Sequence, residues 1–257
     1  MDKKLLPLKN ISLNVGLYIT DIVEDENMIL IHDKYADDNY WNYAYLIQPK
    51  LDLEKVKRYY HDKKLAASVY FLESEGNQAI KDNLVANGFE LSYSDAIMVF
   101  HGQAQEFEQK FDTKEVANPK LEEDFLRVYK EVFVDAGDDV YSGLTDGYLR
   151  NIENYFRNYP KSNRYDVVAY KNNKPVGIAT VVYDDDYALL MNGAVSPNLR
   201  RMGIAKGLTN KCINKFNDKI IFLLTEKDSA NEEIWQRIGF KTEAVGKCYK
   251  ESWPVKG

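Results

Sequence analysis

Hydrophobic and polar positions along this chain follow two periodicities, and each change of period marks a new element. Short apolar or aromatic runs predict β-strands, whereas apolar residues that recur every three or four positions predict amphipathic helices. In the first part of the chain these patterns predict strands over 39–47, 65–72 and 89–100, with helices over 53–64 and 77–87. Strands that alternate with helices favour an α/β sheet.

The alternation continues through the second part of the chain. Its patterns predict helices over 121–133, 146–159 and 229–238, and strands over 166–170, 175–183, 187–195, 219–225 and 240–251. Segment 102–120 is polar with few periodic apolar positions, which predicts the crossing between the two parts. We therefore expect one domain over 1–103 and a second over 104–257.

The most informative segment begins with the apolar run 187–195. Pro197 closes this strand because proline cannot donate to a β-ladder. Apolar residues then recur at helical intervals from Arg200 onward, which predicts a helix. The segment is therefore expected to form a strand, a tight turn and a helix.

Basic residues and a glycine surround the predicted start of this helix. A helix start exposes backbone N–H groups at the positive end of its dipole, where phosphates bind readily. Gly203 would allow a ligand to approach the backbone, and Arg200, Arg201 and Lys206 would neutralise its charge. An ordinary surface helix with nearby basic residues is the alternative interpretation.

Two motifs in the second part resemble those of a known family. The sequence Val195-x-Pro-x-x-Arg-Arg-x-Gly-Ile-Ala205 is similar to the acyl-CoA-binding motif of the GNAT superfamily of N-acyltransferases. A second motif of that family, an aromatic residue followed by a Gly-Phe pair, occurs downstream from Trp235 to Phe240. The two occur in the family's order, and the resemblance covers about residues 120–251.

The resemblance implies the fold class and the cosubstrate. The expected fold is α/β, with a mixed, largely antiparallel sheet flanked by helices, and the expected cosubstrate is acetyl-CoA. In this family the strand before the motif separates from its neighbour, and the pantetheine arm lies in the gap. The implied cofactor contacts are Gly193, Ala194, Val195, Arg200, Arg201, Met202, Gly203, Ile204, Ala205, Lys206, Asn231 and Trp235. For Asn231, a polar residue at a helix start is the alternative.

The sequence indicates the catalytic residues less specifically than the cofactor contacts. Many family members have a tyrosine acid where this chain has Trp235, whose indole has no readily lost proton, so Tyr249 or water is a substitute. The second part lacks histidine, and Glu226 is the first choice of base, with Asn192 positioning the acceptor. A solvated strand end and a hydrogen-bonded core residue are the more ordinary interpretations of these two.

Acidic residues follow the first predicted helix of the second part. In GNAT enzymes this segment usually contacts the acceptor, and carboxylates there would attract a cationic amine. The predicted acceptor-binding residues are Asp135, Asp138 and Asp139, near Asp146. Solvated turn residues are the alternative, because aspartate is common in loops.

The first part contains a weak echo of the second. Gly88-Phe89 and Gly239-Phe240 each precede a strand-like run, which suggests two GNAT-like copies in tandem. Segment 48–52 stands where the phosphate-binding turn would be and has no glycine, so the first copy is interpreted as degenerate. An unrelated α/β domain is the alternative.

Composition narrows the function classes. The net charge of −6 argues against a nucleic-acid binder, and the short apolar runs predict no membrane span. Two cysteines without ligand spacing, and histidines confined to the first part, predict no metal site. We expect a cytoplasmic monomer or homodimer.

The resemblance implies acetylation of a small-molecule or peptide amine by direct attack. A CoA-binding or interaction module without catalysis is the alternative. A third alternative is that the protein belongs with the tandem GNAT-fold aminoacyl or myristoyl transferases. Those that use tRNA do not need the CoA turn, so its presence counts against them.

Overall fold

The computed structural model describes residues 3–103, 111–135 and 144–252, and its centre is one mixed sheet. Eleven described strands form this sheet in the order β1-β2-β3-β4-β11-β5-β10-β9-β8-β7-β6. Their bounds are β1 Asp21–Glu24, β2 Met28–His32, β3 Tyr43–Leu46, β4 Ser68–Leu72, β5 Phe89–Phe100, β6 Asp112–Glu115, β7 Arg164–Lys171, β8 Lys174–Tyr183, β9 Tyr187–Val195, β10 Ile220–Glu226 and β11 Phe240–Glu251.

Helices flank both faces of the sheet. Their bounds are α1 Leu5–Asn14, α2 Leu53–Asp62, α3 Gln78–Ala86, α4 Pro119–Tyr129, α5 Asp146–Asn158, α6 Ile204–Lys215 and α7 Ala230–Ile238, with a π turn over Lys130–Val134 after α4. Asn118 caps α4, because its side chain accepts the Leu121 N–H and Pro119 follows at the first helical position. The predicted α/β class with a mixed sheet is confirmed.

Alternating side chains on the strands divide the core between the two faces. On one face, α1, α4 and α5 pack with residues such as Ile178 and Phe222. On the opposite face, α6 packs against the second part of the sheet and α2 and α3 against the first, through Leu208, Val56 and Leu84. We call the first of these the cleft face, because the candidate site opens on it.

The two parts of the chain exchange their last strands. β5 lies between β10 and β11, and β11 lies between β4 and β5. β5 and β11 are antiparallel along their whole length, from Phe240 opposite Phe100 to Glu251 opposite Phe89. The sheet therefore crosses the predicted boundary at 103, and the division into two domains stays a prediction.

The order of elements repeats between the two parts. β3–α2–β4–α3–β5 has the same sequence of elements as β9–α6–β10–α7–β11. The β3–β4 and β9–β10 pairs are both parallel, while the other described ladders are antiparallel. The repetition is what a duplication would produce, and a common origin of the two parts stays a prediction.

Candidate functional site

β9 and β10 pair over a short stretch and then separate. Their parallel ladder joins Ile220–Phe222 to Tyr187–Leu189. Both strands continue beyond it, β9 to Val195 and β10 to Glu226. Within these described residues, the β9 edge that faces β10 has no strand partner past Leu189, so its backbone groups are placed to bond an extended amide chain.

A β-bulge shapes β9 at this gap. The register with β8 shifts between Ile178 and Thr180, and Asn192 has a left-handed φ of 52°. Gly193 is exposed, and the space where a side chain would begin is open. The side chains of Ala194 and Val195 are buried in the cores of the two faces.

Asn192 is held by residues from both parts of the chain. Its Oδ1 accepts a hydrogen bond from the Tyr18 hydroxyl at 2.7 Å, and its Nδ2 lies 3.4 Å from Thr180 Oγ1. Tyr18 also pairs with the Tyr129 hydroxyl at 3.1 Å and stacks on Trp41, with ring centroids 5.2 Å apart. Sequence reasoning missed Tyr18 and Trp41, which carry no motif and lie far from β9 in the chain.

The segment after β9 forms a tight turn before α6. A short 3-10 helix spans Pro197–Leu199, and the α-helix begins at Ile204, later than the predicted start at Arg200. The correction has a backbone cause, because Arg201 and Gly203 have left-handed φ values of 65° and 81° that no α-helix accommodates. Glycine adopts this conformation without steric cost.

The turn directs N–H groups and positive charge to one place. The first backbone bond of α6 runs from Gly207 N to Gly203 O at 2.9 Å, so the preceding N–H groups stand outside the helical ladder. Arg201, Ala205 and Lys206 are exposed there, and the Arg200 Nε bonds the Val195 carbonyl at 3.4 Å. Exposed N–H groups and cations at a helix start suit a phosphate or pyrophosphate.

Asn231 and Trp235 lie on α7, on the face opposite the cleft. Ser229 caps this helix, since its hydroxyl accepts the Glu232 N–H at 3.2 Å, and Asn231 follows in the first turn. The Trp235 ring packs edge-on against Phe240 at 5.6 Å between centroids. Trp235 therefore has a packing role, and its cofactor contact stays a prediction.

The two remaining catalytic candidates occupy different environments. Glu226 is exposed at the end of β10, on the strand that borders the gap. Tyr249 is 3% exposed in the core beneath α2 and α3, where its ring stacks on Phe71. We remove Tyr249 from the catalytic candidates, because alternation along β11 points its side chain away from the cleft face.

The predicted acceptor-binding aspartates are only partly described. Asp135 is exposed and forms an ion pair with Lys130 at 3.7 Å. Asp138 and Asp139 lie outside the described residues. Asp146 begins α5 and is also exposed.

Within 3–103, 111–135 and 144–252, no group of three or more histidine, cysteine, aspartate or glutamate side chains is arranged to hold a metal ion. No helix in those ranges is long and apolar enough to cross a membrane.

The sequence of the second part matches a known family. Residues 123–240 match the acetyltransferase (GNAT) family, and the matched range includes the gap, the bulge, the turn and α7. They form a GNAT domain. A comparison with curated proteins found no match.

Solved structures resemble the whole chain, beyond the GNAT domain. A functionally unknown conserved protein from Staphylococcus epidermidis is 16% identical, with a TM-score of 0.69 over 93% of this chain and 96% of that one. A GCN5-related N-acetyltransferase from Kribbella flavida is 13% identical, with a TM-score of 0.68 over 98% of this chain and 96% of that one. A GCN5-related N-acetyltransferase from Sphaerobacter thermophilus is 10% identical, with a TM-score of 0.61 over 90% of this chain and 82% of that one. At these identities the likeness shows the fold, while the family match of the GNAT domain supports an acyltransferase.

Proposed function

We propose that the protein is an N-acetyltransferase that transfers the acetyl group of acetyl-CoA to a primary amine by direct attack. The observation that carries the proposal is the gap between β9 and β10, which leads directly into the turn before α6. An extended pantetheine arm needs backbone partners, and its pyrophosphate needs N–H groups and cations. The gap and the turn offer these in that order along the chain.

The residues at the gap suit binding through the backbone. Gly193 has no side chain to obstruct an arm, while the side chains of Ala194 and Val195 point into the two cores and leave the backbone edge of β9 that faces the gap open to the ligand. A backbone N–H near the thioester oxygen would stabilise the charge that develops there during attack, which is usually a large part of acyl-transfer catalysis. Arg200 to Lys206 would hold the pyrophosphate.

The acceptor side of the gap has polar groups in suitable positions. Asn192 is fixed by Tyr18 and Thr180, so its amide orientation is set before a substrate arrives. Glu226 borders the gap and can attract an ammonium group. We also propose that the acceptor is a small molecule or a peptide and that the protein acts in the cytoplasm, as a monomer or homodimer.

Binding of acetyl-CoA to an Ala205→Glu variant tests the proposal. Ala205 is exposed in the first turn of α6, where a glutamate favours the helix but repels a pyrophosphate. Calorimetric titration should give one-to-one binding to the wild type and a dissociation constant raised about tenfold or more in the variant. Asn214→Glu adds the same charge near the other end of α6 and should leave binding unchanged. A wild type that does not bind acetyl-CoA would contradict the proposal.

A CoA-binding module without catalysis is the second candidate. Trp235 favours it, because the indole cannot supply the proton that the usual tyrosine gives to the leaving thiolate. A thiolate is a good leaving group, however, so the loss need not stop the reaction. Acetyl-CoA binding without release of free thiol in the presence of any amine would favour this candidate.

A further inference from the structure

The wall of the cleft continues from Asn192 into the first part of the chain. Tyr18 bonds Asn192 and stacks on Trp41, and Trp41 packs against the cores of both parts on the cleft face. Tyr93 on β5 packs against the same first-part core. Trp41 beside the bulge of β9 and Tyr93 on β5 thus border the same core, and β5 is the strand that the first part inserts beside β10.

Asp95 lies on that inserted strand at the level of the cleft. In the antiparallel β5–β10 ladder it is directly opposite Glu226, and in the β5–β11 ladder it is opposite Gly246. Side chains of directly opposite residues share a face of the sheet, so Asp95 and Glu226 stand together on the cleft face. Asp95 is partly buried, whereas Glu226 is exposed.

Tyrosine rings enclose Asp95 on the side away from Glu226. We call Tyr40, Tyr43, Tyr70 and Tyr93 the tyrosine wall. Its rings lie against one another, with centroids 4.8 Å apart for Tyr40 and Tyr93 and 5.0 Å apart for Tyr43 and Tyr70. The Tyr70 hydroxyl donates to Asp95 Oδ2 at 3.2 Å.

Gly246 makes room for this arrangement. A Cβ at position 246 would lie 1.7 Å from the Tyr70 hydroxyl oxygen, so only glycine lets Tyr70 cross β11 and reach Asp95. Faces of tyrosine rings attract cations, and carboxylates do so more strongly. Tyr43 and Tyr70 are buried behind Asp95, so Tyr40, Tyr93, Asp95 and Glu226 form the surface that an ammonium group can reach.

The groups that face Asp95 are four phenols, one thiol and one carboxylate. They are Tyr70 from β4, Tyr43 from β3, Tyr93 from β5 itself, Cys248 from β11, Tyr40 from the segment before β3 and Glu226 from β10. Burial raises the pKa of Asp95 to about 7, the Tyr70 bond opposes that rise, and Glu226 adds to it. A carboxyl with such a pKa exchanges a proton readily near neutral pH.

We propose that Asp95 binds the ammonium group of the acceptor and accepts its proton, with the tyrosine wall and Glu226 selecting small cationic alkylamines. The inference rests on the proposed function and deepens it. The active site is then composite, because the second part binds acetyl-CoA and the first part supplies the base.

The proton balance of the step is simple. The ammonium gives one proton to the Asp95 carboxylate, and the neutral amine nitrogen attacks the thioester carbonyl carbon. The C–N bond forms, the C–S bond breaks, and CoA leaves as a thiolate. As the amide forms, the nitrogen passes its second proton through water to the thiolate, and Asp95 then releases the first proton to solvent, which regenerates its carboxylate.

An Asp95→Asn variant tests the inference. Thiol release from acetyl-CoA would be measured from pH 5.5 to 9 with putrescine, spermidine and tyramine, beside calorimetric titration with acetyl-CoA alone. We expect kcat/KM for the best amine to fall about 100-fold or more, with loss of the rise in activity near pH 7 and an unchanged dissociation constant for acetyl-CoA. Glu226→Gln should raise KM more than it lowers kcat. Glu90→Gln, an exposed change on the same strand, is the matched control and should have no effect.

The outcomes separate the two proposals. An Asp95→Asn variant within threefold of the wild type, or one that keeps the pH profile, would overturn the role of Asp95. Tight acetyl-CoA binding without turnover of any of the three amines would also overturn it, while leaving the cofactor site intact. A wild type without acetyl-CoA binding would refute the proposed function and this inference with it.

Discussion

Three carboxyl groups, two of them buried and Asp95 partly buried, dominate the electrostatics at the scale of single residues. Burial raises the pKa of Asp95 to about 7 and the pKa values of Asp33 and Asp166 to about 6, from the ordinary 3.8. Between about pH 4 and pH 7 the folded protein holds protons that the unfolded chain has released. The free energy of unfolding therefore falls as the pH rises through this range.

Asp95→Asn should reduce the fall in the free energy of unfolding that occurs as the pH rises. The amide has nearly the same shape and cannot ionise, so we expect the variant to match the wild type near pH 4 and to exceed its free energy of unfolding by on the order of 4 kcal/mol at pH 8. Urea unfolding at several pH values measures this, with Glu90→Gln as control. A variant that is less stable than the wild type at pH 8 would mean that the ionised carboxylate stabilises the fold.

Candidate residues at the gap were easier to single out from the sequence than those of the proposed acceptor side. Asn192 stood out as a polar residue within an apolar strand, and the turn after it matched a motif. Asp95 gave no such signal, since Tyr-Ser-Asp is an ordinary polar stretch in a strand and its partners come from distant strands. Tyr249 is a candidate acid from the sequence alone, because the sequence does not reveal which face of β11 its side chain occupies.

At the scale of elements, α5 is fixed against the loop after β2. A Cβ at Gly147 would lie 1.9 Å from the Tyr35 carbonyl oxygen, so the first turn of α5 touches this loop backbone to backbone. Asn151, one turn later, donates to the buried Asp33 carboxylate. This contact joins the two parts of the chain beside the cleft.

Gly147→Ala should loosen this junction. The methyl group would push α5 and the loop apart, and we expect a loss on the order of 3 kcal/mol in the free energy of unfolding. Chemical denaturation measures it. Gly76→Ala is the matched control, because its Cβ would meet nothing nearer than 3.9 Å and should change stability little. Equal stability of the two variants would contradict the packing described for α5.

Most elements of the second part were predictable, whereas α1, β1 and β2 were not. α1 lies between the two parts, with Leu6 and Leu13 in one core and Ile11 in the other. Burial on several sides removes the single apolar stripe by which amphipathic helices are recognised. β1 is short and mostly exposed, so it lacks the alternation of a half-buried strand.

At the scale of the whole molecule, the exchange of β5 and β11 makes the two parts interdependent. Without the second part, β4 would lose its neighbour β11. Without the first part, β10 would lose its neighbour β5. Periodicity in a sequence identifies strands but not their neighbours, so the separate domains expected from the sequence did not include this exchange.

Separate fragments should show this dependence. We expect fragments 1–103 and 104–257 to be unfolded or insoluble when produced alone, and to form a soluble complex when co-expressed with a tag on one of them. Affinity purification and circular dichroism measure both outcomes. A folded monomeric 104–257 fragment that binds acetyl-CoA would contradict the expectation and support two independent domains.

The position of β11 also has a consequence for synthesis. β4 and β5 must wait for a strand that ends at residue 251, although both are translated by residue 100. At typical translation rates of 5–20 residues per second this delay lasts about 8–30 s, during which unpaired strand edges are open to wrong partners. Before β11 is translated, the first part of the growing chain is therefore the region most exposed to aggregation. Factors that shield nascent chains should bind this region.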